Sequence, residues 1–493
     1  MNNRRSFLQS TLGLGAAWLA EQKLIAQSEP NSKIYKRVRQ THHEPAFNMP
    51  VVTTDLGDLP YTMEGNTKVF HLIAEVVKQQ ISPLKTIDAW GFNGSAPGPT
   101  IQVNQGDRVR VIFDNHLPEP TSMHWHGFED TIQNDGMPGI SQDPVKPGGR
   151  FVYEFNIHQA GTYFYHSHMA MQEMAGMLGA FIMHPKEPYQ PHCDKDFLIH
   201  LQGYAVLPNN TVPNTMNMEF NWLVFNGKAG PATTPLIVRL GDRVRIRFVN
   251  LGMDHHPMHL HGHTFYTTGT EGGRIPETAW WPGNTVLVGV AQARDVEFVA
   301  NNPGDWMIHC HLPHHMMNQM SSTAGKMTRI AGMSAGGDMN TGMGMLQGEP
   351  GAPLGEDYGP TLGRGLGGVG NATDTSTTNG PLSEKKAMAA MPGMHQEMGN
   401  MQMGQMAPDD IAKNANDVPN FPQDAYMEGP MMQMDKMVDR PENYGLREGW
   451  SGFMQGMMTF VRVMPPDKYD EVIRRMKQAK RPNDAYSVIL ERA

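Results

Sequence analysis

The sequence predicts an all-β protein. Two homologous Greek-key β-sandwich or barrel domains are followed by a methionine-rich low-complexity segment and a short C-terminal helical hairpin. Three observations carry this. Short runs of Val, Ile, Phe and Tyr alternate with polar residues between Gly, Pro and Asn turns, as half-buried strands do. One such block occurs twice: Gly106-Asp107-Arg108-Val109-Arg110-Val111-Ile112-Phe113 returns as Gly241-Asp242-Arg243-Val244-Arg245-Ile246-Arg247-Phe248, at an offset of 135. After residue 332 the alternation stops and Gly, Pro, Met, Ser and Asn take over.

In chain order, Arg4-Arg5-Ser6-Phe7-Leu8 precedes a weakly apolar run from Leu12 to Ala20, which reads as a twin-arginine (Tat) export signal over 1–26. The mature protein is then expected in the periplasm. No stretch of 18 consecutive apolar residues predicts a stable membrane span. Residues 27–59 form a linker, 60–187 the first domain and 195–332 the second. Residues 333–436 are the low-complexity segment. Residues 437–493 are the helical C-terminus: Leu446, Trp450, Phe453, Met457, Phe460 and Met464 recur at steps of three and four, Pro465-Pro466 breaks the pattern, and Asp467 caps a second helix through Lys480. A net charge of -9 argues against a general nucleic-acid binder, and two cysteines exclude a disulfide scaffold.

Ten of the 22 histidines are clustered as His124-Trp125-His126, His166-Ser167-His168, His256-Pro257-Met258-His259-Leu260-His261 and His309-Cys310-His311, with His315 and Met320 following. Residues two apart on a strand share a face, so each His-x-His pair offers two imidazoles to one side and Cys310 points to the other. Cys310, His256, His315 and Met320 supply a thiolate, two imidazoles and a thioether, the ligand set of a blue copper electron-transfer site. On the opposite face, His124, His126, His166, His168, His259, His261, His309 and His311 supply eight imidazoles, enough for three more copper ions with two, three and three ligands. At an offset of 143, Ser167 replaces Cys310, Gln172 replaces His315 and Met177 aligns with Met320; at 135, Thr121 stands where His256 does. The blue copper site therefore belongs to the second domain alone.

These four motifs, in this order, resemble those of the multicopper oxidases, the class of laccases, ascorbate oxidases and bacterial copper-tolerance oxidases; Gly94-Ser95-Ala96-Pro97-Gly98-Pro99 is similar to the family's early turn. The resemblance covers about residues 65–332. It implies cupredoxin-like domains and four copper ions per chain. His256, Cys310, His315 and Met320 would hold the type 1 ion, and His124 with His259 the type 2 ion. His126, His166 and His311 would hold one type 3 ion; His168, His261 and His309 would hold the other. Cys310 would pass electrons onward through its neighbouring histidines, and Asp135 would assist proton delivery or simply serve the Asp-Gly turn. Only 87 residues separate His168 from His256, so no middle domain fits. This resembles the two-domain subclass, which implies a homotrimer with each histidine centre shared between subunits. Met316 stands where many relatives carry a proton-relaying acid. The implied reaction couples one-electron oxidation of Cu(I), phenols or both to reduction of dioxygen to water, with a role in copper tolerance. A copper nitrite reductase, or a copper-sequestering protein with a vestigial oxidase core, stays open as an alternative. Met388, Met391, Met394, Met398, Met401, Met403 and Met406 favour a Cu(I)-collecting segment, since thioethers are soft ligands. His255, His263 and His314 read as structural, and Cys193 as a buried free thiol.

Overall fold

The computed structural model describes residues 49–83, 85–206, 211–215, 220–316 and 434–479. The architecture is all-β, with two packed sheets in each repeat. In the first repeat, Ile101–Asn104 (β1), Met123–His126 (β2), Gly161–Ser167 (β3) and Leu178–His184 (β4) form a sheet in the order β1-β4-β3-β2. It packs on a five-stranded sheet that contains Thr67–Ser82, Arg108–Asn115 and Arg150–Asn156. In Arg108–Asn115 the alternation in sequence becomes alternation in space: Val109, Val111 and Phe113 are buried beside Trp125, Tyr165 and Phe181, while the intervening residues face outward.

The second repeat contains Lys195–Tyr204 (β5), Leu236–Arg239 (β6), Arg243–Asn250 (β7), His256–Leu260 (β8), Thr285–Val288 (β9), Gln292–Val299 (β10), Gly304–Cys310 (β11) and Met458–Met464 (β12). One sheet runs β6-β12-β11-β8-β9; β5, β7 and β10 lie side by side in the other. Pro466–Ala479 (α1) follows β12 and buries Tyr469, Val472, Ile473 and Met476 in the same core.

The helical hairpin expected at the C-terminus is, among the described residues, a strand followed by a single α-helix. Its second helix exists as α1, with Pro466 as its first residue and Asp467 inside the first turn rather than capping it. Its first helix does not exist among the described residues. Trp450–Phe453 is one 3-10 turn, and Met458–Met464 is a strand. β12 lies between β6 and β11, parallel to the former and antiparallel to the latter. All seven of its residues are buried, so its apolar positions show no clean period. The backbone edges of β6 and β11 gain a partner only if this segment is extended, and tertiary pairing overrides the helical spacing.

The two repeats pack through Phe164, Leu178, Ala180 and Ile182 of the first and Leu198, Val249, Leu251 and Ala293 of the second. A buried polar network crosses the same junction. Thr162 Oγ1 donates to Asp295 Oδ1 at 2.8 Å, Arg247 Nη1 donates to Thr162 Oγ1 at 2.6 Å, and Arg247 Nε donates to Asp196 Oδ1 at 2.8 Å.

His200, on β5, is fully buried, and neither ring nitrogen has a hydrogen-bond partner among the described residues. Burial pushes it down to about 3. The fold thus keeps it neutral, whereas the unfolded chain takes up a proton near 6.5. Stability is then fullest above pH 6.5 and is lost as pH falls from 6.5 toward 3, because the unfolded state binds the extra proton. His200→Leu is expected to reduce the stability lost between pH 7.5 and pH 5 by about 2 kcal/mol. Urea unfolding of parent and variant at both pH values measures this; equal losses would show that His200 does not contribute.

Candidate metal centres

β8 and β11 lie antiparallel, with Met258 opposite Cys310 and His259 opposite His309. Strand alternation turns Cys310 into the core and His309 to the other face. The 3-10 turn Pro313–Met316 then brings His315 back over the sulfur. Cys310 Sγ lies 3.4 Å from His315 Nδ1 and 3.7 Å from His256 Nδ1, and the two nitrogens are 3.0 Å apart. All three side chains are buried. Burial pushes His256 and His315 down to about 3 and the Cys310 thiol up to about 12. The imidazoles are therefore neutral ligands at physiological pH, while a thiolate forms there only if a bound cation offsets the burial. A thiol and two imidazoles converging in a dry site fit copper.

Two histidine groups lie apart from this one, one on the other face of β8 and β11 and one on β2 and β3 of the first repeat. In the first repeat, His124, His126 and His166 converge, with His126 Nδ1 3.3 Å from His166 Nε2. The His168 ring lies 5.3 Å from that of His124. In the second repeat, His259, His261 and His309 converge, with His261 Nε2 3.0 Å from His309 Nε2. The His311 ring lies 5.4 Å from that of His259. Each group is closed within its own repeat, and among the described residues no ring contact or hydrogen bond joins the two.

Backbone carbonyls set the tautomers. His124 Nδ1 lies 2.7 Å from the Asp135 carbonyl, His166 Nδ1 2.9 Å from that of Ser167, His259 Nδ1 2.7 Å from that of Asn284, and His309 Nδ1 2.8 Å from that of Cys310. A carbonyl only accepts, so each Nδ1 donates and each Nε2 presents its lone pair to the group. Burial pushes His126 down to about 4 and His166 to about 3, and lowers His261 and His309. Neutral imidazoles with free, convergent lone pairs fit copper here as well.

Asp135 reaches His124 mainly through its main chain; its carboxylate Oδ1 is 3.6 Å from the same nitrogen. Gly136 makes this approach possible. Its φ is +79°, and a Cβ there would sit 1.7 Å from the Met123 carbonyl oxygen. Sequence reasoning missed Asn284 and Glu173. Asn284 acts through its carbonyl, which leaves no trace in residue type. The Glu173 carboxylate lies 3.4 Å from His166 Nδ1, and burial pushes it up to about 7. His263 Nδ1 donates to the His261 carbonyl at 3.2 Å, and its ring packs on Trp306 and Phe298. His255 Nδ1 accepts from the Val290 N–H, and His314 stacks edge-on against His315. Cys193 is buried and free, and burial pushes its thiol up to about 12. Met320, the export signal and the methionine-rich segment lie outside the described residues.

Two different multicopper oxidase family models match the sequence, one over residues 75–188 and the other over 205–325. Both of these segments are similar to multicopper oxidase domains. It is 39% identical over 117 residues to "Copper resistance protein A homolog" of Pseudomonas syringae pv. tomato, covering 24% of this chain and 20% of that protein. It is 32% identical over 211 residues to "Laccase-1" of Cryptococcus neoformans var. neoformans, covering 35% of this chain and 34% of that one. The chain thus spans about a third or less of the length of these relatives. The blue copper oxidase structure from Nitrosomonas europaea is 32% identical, with a TM-score of 0.47 over 51% of this chain and 81% of that one.

Proposed function

We propose that these domains form a copper-dependent oxidase that takes single electrons from Cu(I), phenols or both and reduces dioxygen to water, with a role in copper tolerance. The observation that carries this reading is the buried Cys310, His256 and His315 group standing back to back with the His259, His261 and His309 group on the other face of the same strands. Copper supplies one-electron redox chemistry at the sulfur centre and dioxygen chemistry at the histidine centre.

The residues divide this work as follows. His256, Cys310 and His315 hold the type 1 ion with a thioether. His124 and His259 hold the type 2 ion. His126, His166 and His311 hold one type 3 ion, and His168, His261 and His309 the other, making four ions per chain. The peptide His309-Cys310-His311 joins the two centres by covalent bonds and carries the electron from sulfur to imidazole. The Asp135 carbonyl orients His124, and its carboxylate, in reach of solvent, passes protons toward the site. Each repeat presents four of the eight histidines, and among the described residues the two groups do not meet within the chain, which supports a centre built from the first repeat of one chain and the second of another. This supports a homotrimer. Twin arginines at the N-terminus support Tat export to the periplasm, where copper stress and dioxygen coincide.

The test is copper stoichiometry with visible and EPR spectra of the purified protein, followed by anaerobic reduction and re-exposure to dioxygen. About four ions per chain are expected, with a thiolate-to-copper band, a separate type 2 signal and reoxidation by dioxygen. One or two ions that reoxidise with nitrite but not with dioxygen would replace this reading with nitrite reduction.

A further inference from the structure

The copper centre of the second repeat lacks an identified thioether among the described residues, and the internal repeat shows where to find one. In the first repeat the Ser167 N–H donates to the Met177 carbonyl at 3.0 Å, and the Met177 N–H to the Gln172 carbonyl at 3.3 Å. In the second, the Cys310 N–H donates to the Met457 carbonyl at 3.1 Å, and the Met457 N–H to the His315 carbonyl at 2.9 Å. Ser167 and Gln172 are the counterparts of Cys310 and His315, so Met177 and Met457 occupy one structural position.

The surrounding registers agree at every strand. Leu178 pairs with His166 as Met458 pairs with His309. Phe181 pairs with Ile101 as Val461 pairs with Leu236. Met123 pairs with Ser167 as Met258 pairs with Cys310. A glycine at positive φ precedes each methionine, Gly176 at 118° and Gly456 at 56°. β12 is thus the second repeat's β4.

From this we infer that Met457, rather than Met320, is the thioether ligand of the Cys310 centre. The inference rests on the copper reading above. Residues directly opposite on antiparallel strands share a face. Continuing the β11–β12 register places Met457 opposite Cys310, and both are fully buried in one core cluster. Its main chain bonds to two ligands, Cys310 and His315, which holds the side chain beside them. In the first repeat the same ring of positions is filled by hydrogen bonds instead: Ser167 Oγ donates to Gln172 Oε1 at 2.8 Å, and Thr121 Oγ1 lies 3.2 Å from Ser167 Oγ. The residues between His315 and Met457 are then an insertion in sequence between two ligands, and the methionine-rich segment falls within it. The spacing that singles out Met320 counts along the chain and cannot see past such an insertion.

The experiment compares Met457→Gln, Met457→Leu, Met320→Gln and a Met258→Leu/Met320→Leu double variant in the full, copper-loaded chain. Readouts are the type 1 EPR spectrum and the reduction potential from anaerobic titration of the thiolate band. A harder amide oxygen favours Cu(II) and loss of the thioether favours Cu(I). Met457→Gln is therefore expected to lower the potential and change the EPR splitting, Met457→Leu to raise the potential, and the other two to keep parent values. A shift in Met320→Gln with none in Met457→Gln overturns the proposal. So does a shifted potential in the double variant, which leaves Met457 untouched and decides the matter even if the Met457 variants do not fold. Failure of the underlying copper reading looks different: the parent itself then shows no thiolate-to-copper band.

Discussion

Cys310→Ser is expected to remove the thiolate-to-copper band, lower the copper content by one ion per chain and reduce dioxygen-coupled turnover at least about a thousandfold, which is about 4 kcal/mol of barrier. The sulfur lies 3.4 and 3.7 Å from two buried imidazole nitrogens and has no solvent to replace it. A serine hydroxyl is a hard, neutral donor in a place that needs a soft anion. The molecule already contains the result of that exchange. In the first repeat Ser167 occupies the same position and satisfies Gln172 and Thr121 by hydrogen bonds. The variant should keep its fold for the same reason, which circular dichroism checks. The histidine centre's EPR signal is expected to persist. Retained blue colour or full turnover would place electron entry elsewhere.

Much of this site was legible because its chemistry coincides with strand periodicity. Two histidines two apart must share a strand face, and a cysteine between them must take the other. β8 and β11 place His259 and His309 on one face and Met258 and Cys310 on the opposite one. The offset of 135 between the repeats was legible too, since Val109 and Val244 hold the same buried strand position. What escaped was everything set by long-range pairing. Leu446, Trp450, Phe453 and Met457 fit helical steps, but Thr459, Val461 and Val463 fit a strand, and only the open edges of β6 and β11 decide between them. The same blind spot separated Met177 from its partner in the second repeat. The carbonyls of Asp135 and Asn284 that orient His124 and His259 were invisible for a simpler reason: every residue has one.

Mixing two inactive variants is expected to restore activity if the histidine centre lies between subunits. His126→Ala damages only the first-repeat group, and His309→Ala only the second-repeat group. Each variant alone should lose dioxygen reduction, because removing one imidazole from a close pair leaves its ion short of a ligand. In a randomly mixed closed ring, about one centre in four combines an intact first repeat from one variant with an intact second repeat from the other. That second repeat also brings its own Cys310 centre, so the restored quarter is supplied with electrons. Co-expressed and purified without selecting for mixed rings, the pair should therefore reach about a quarter of parental turnover per chain, while separately purified variants mixed afterwards recover only as fast as subunits exchange. Should each centre instead form within one chain, every chain in the mixture carries one damaged half and co-expression restores nothing. The closure of each histidine group within its own repeat favours the first outcome.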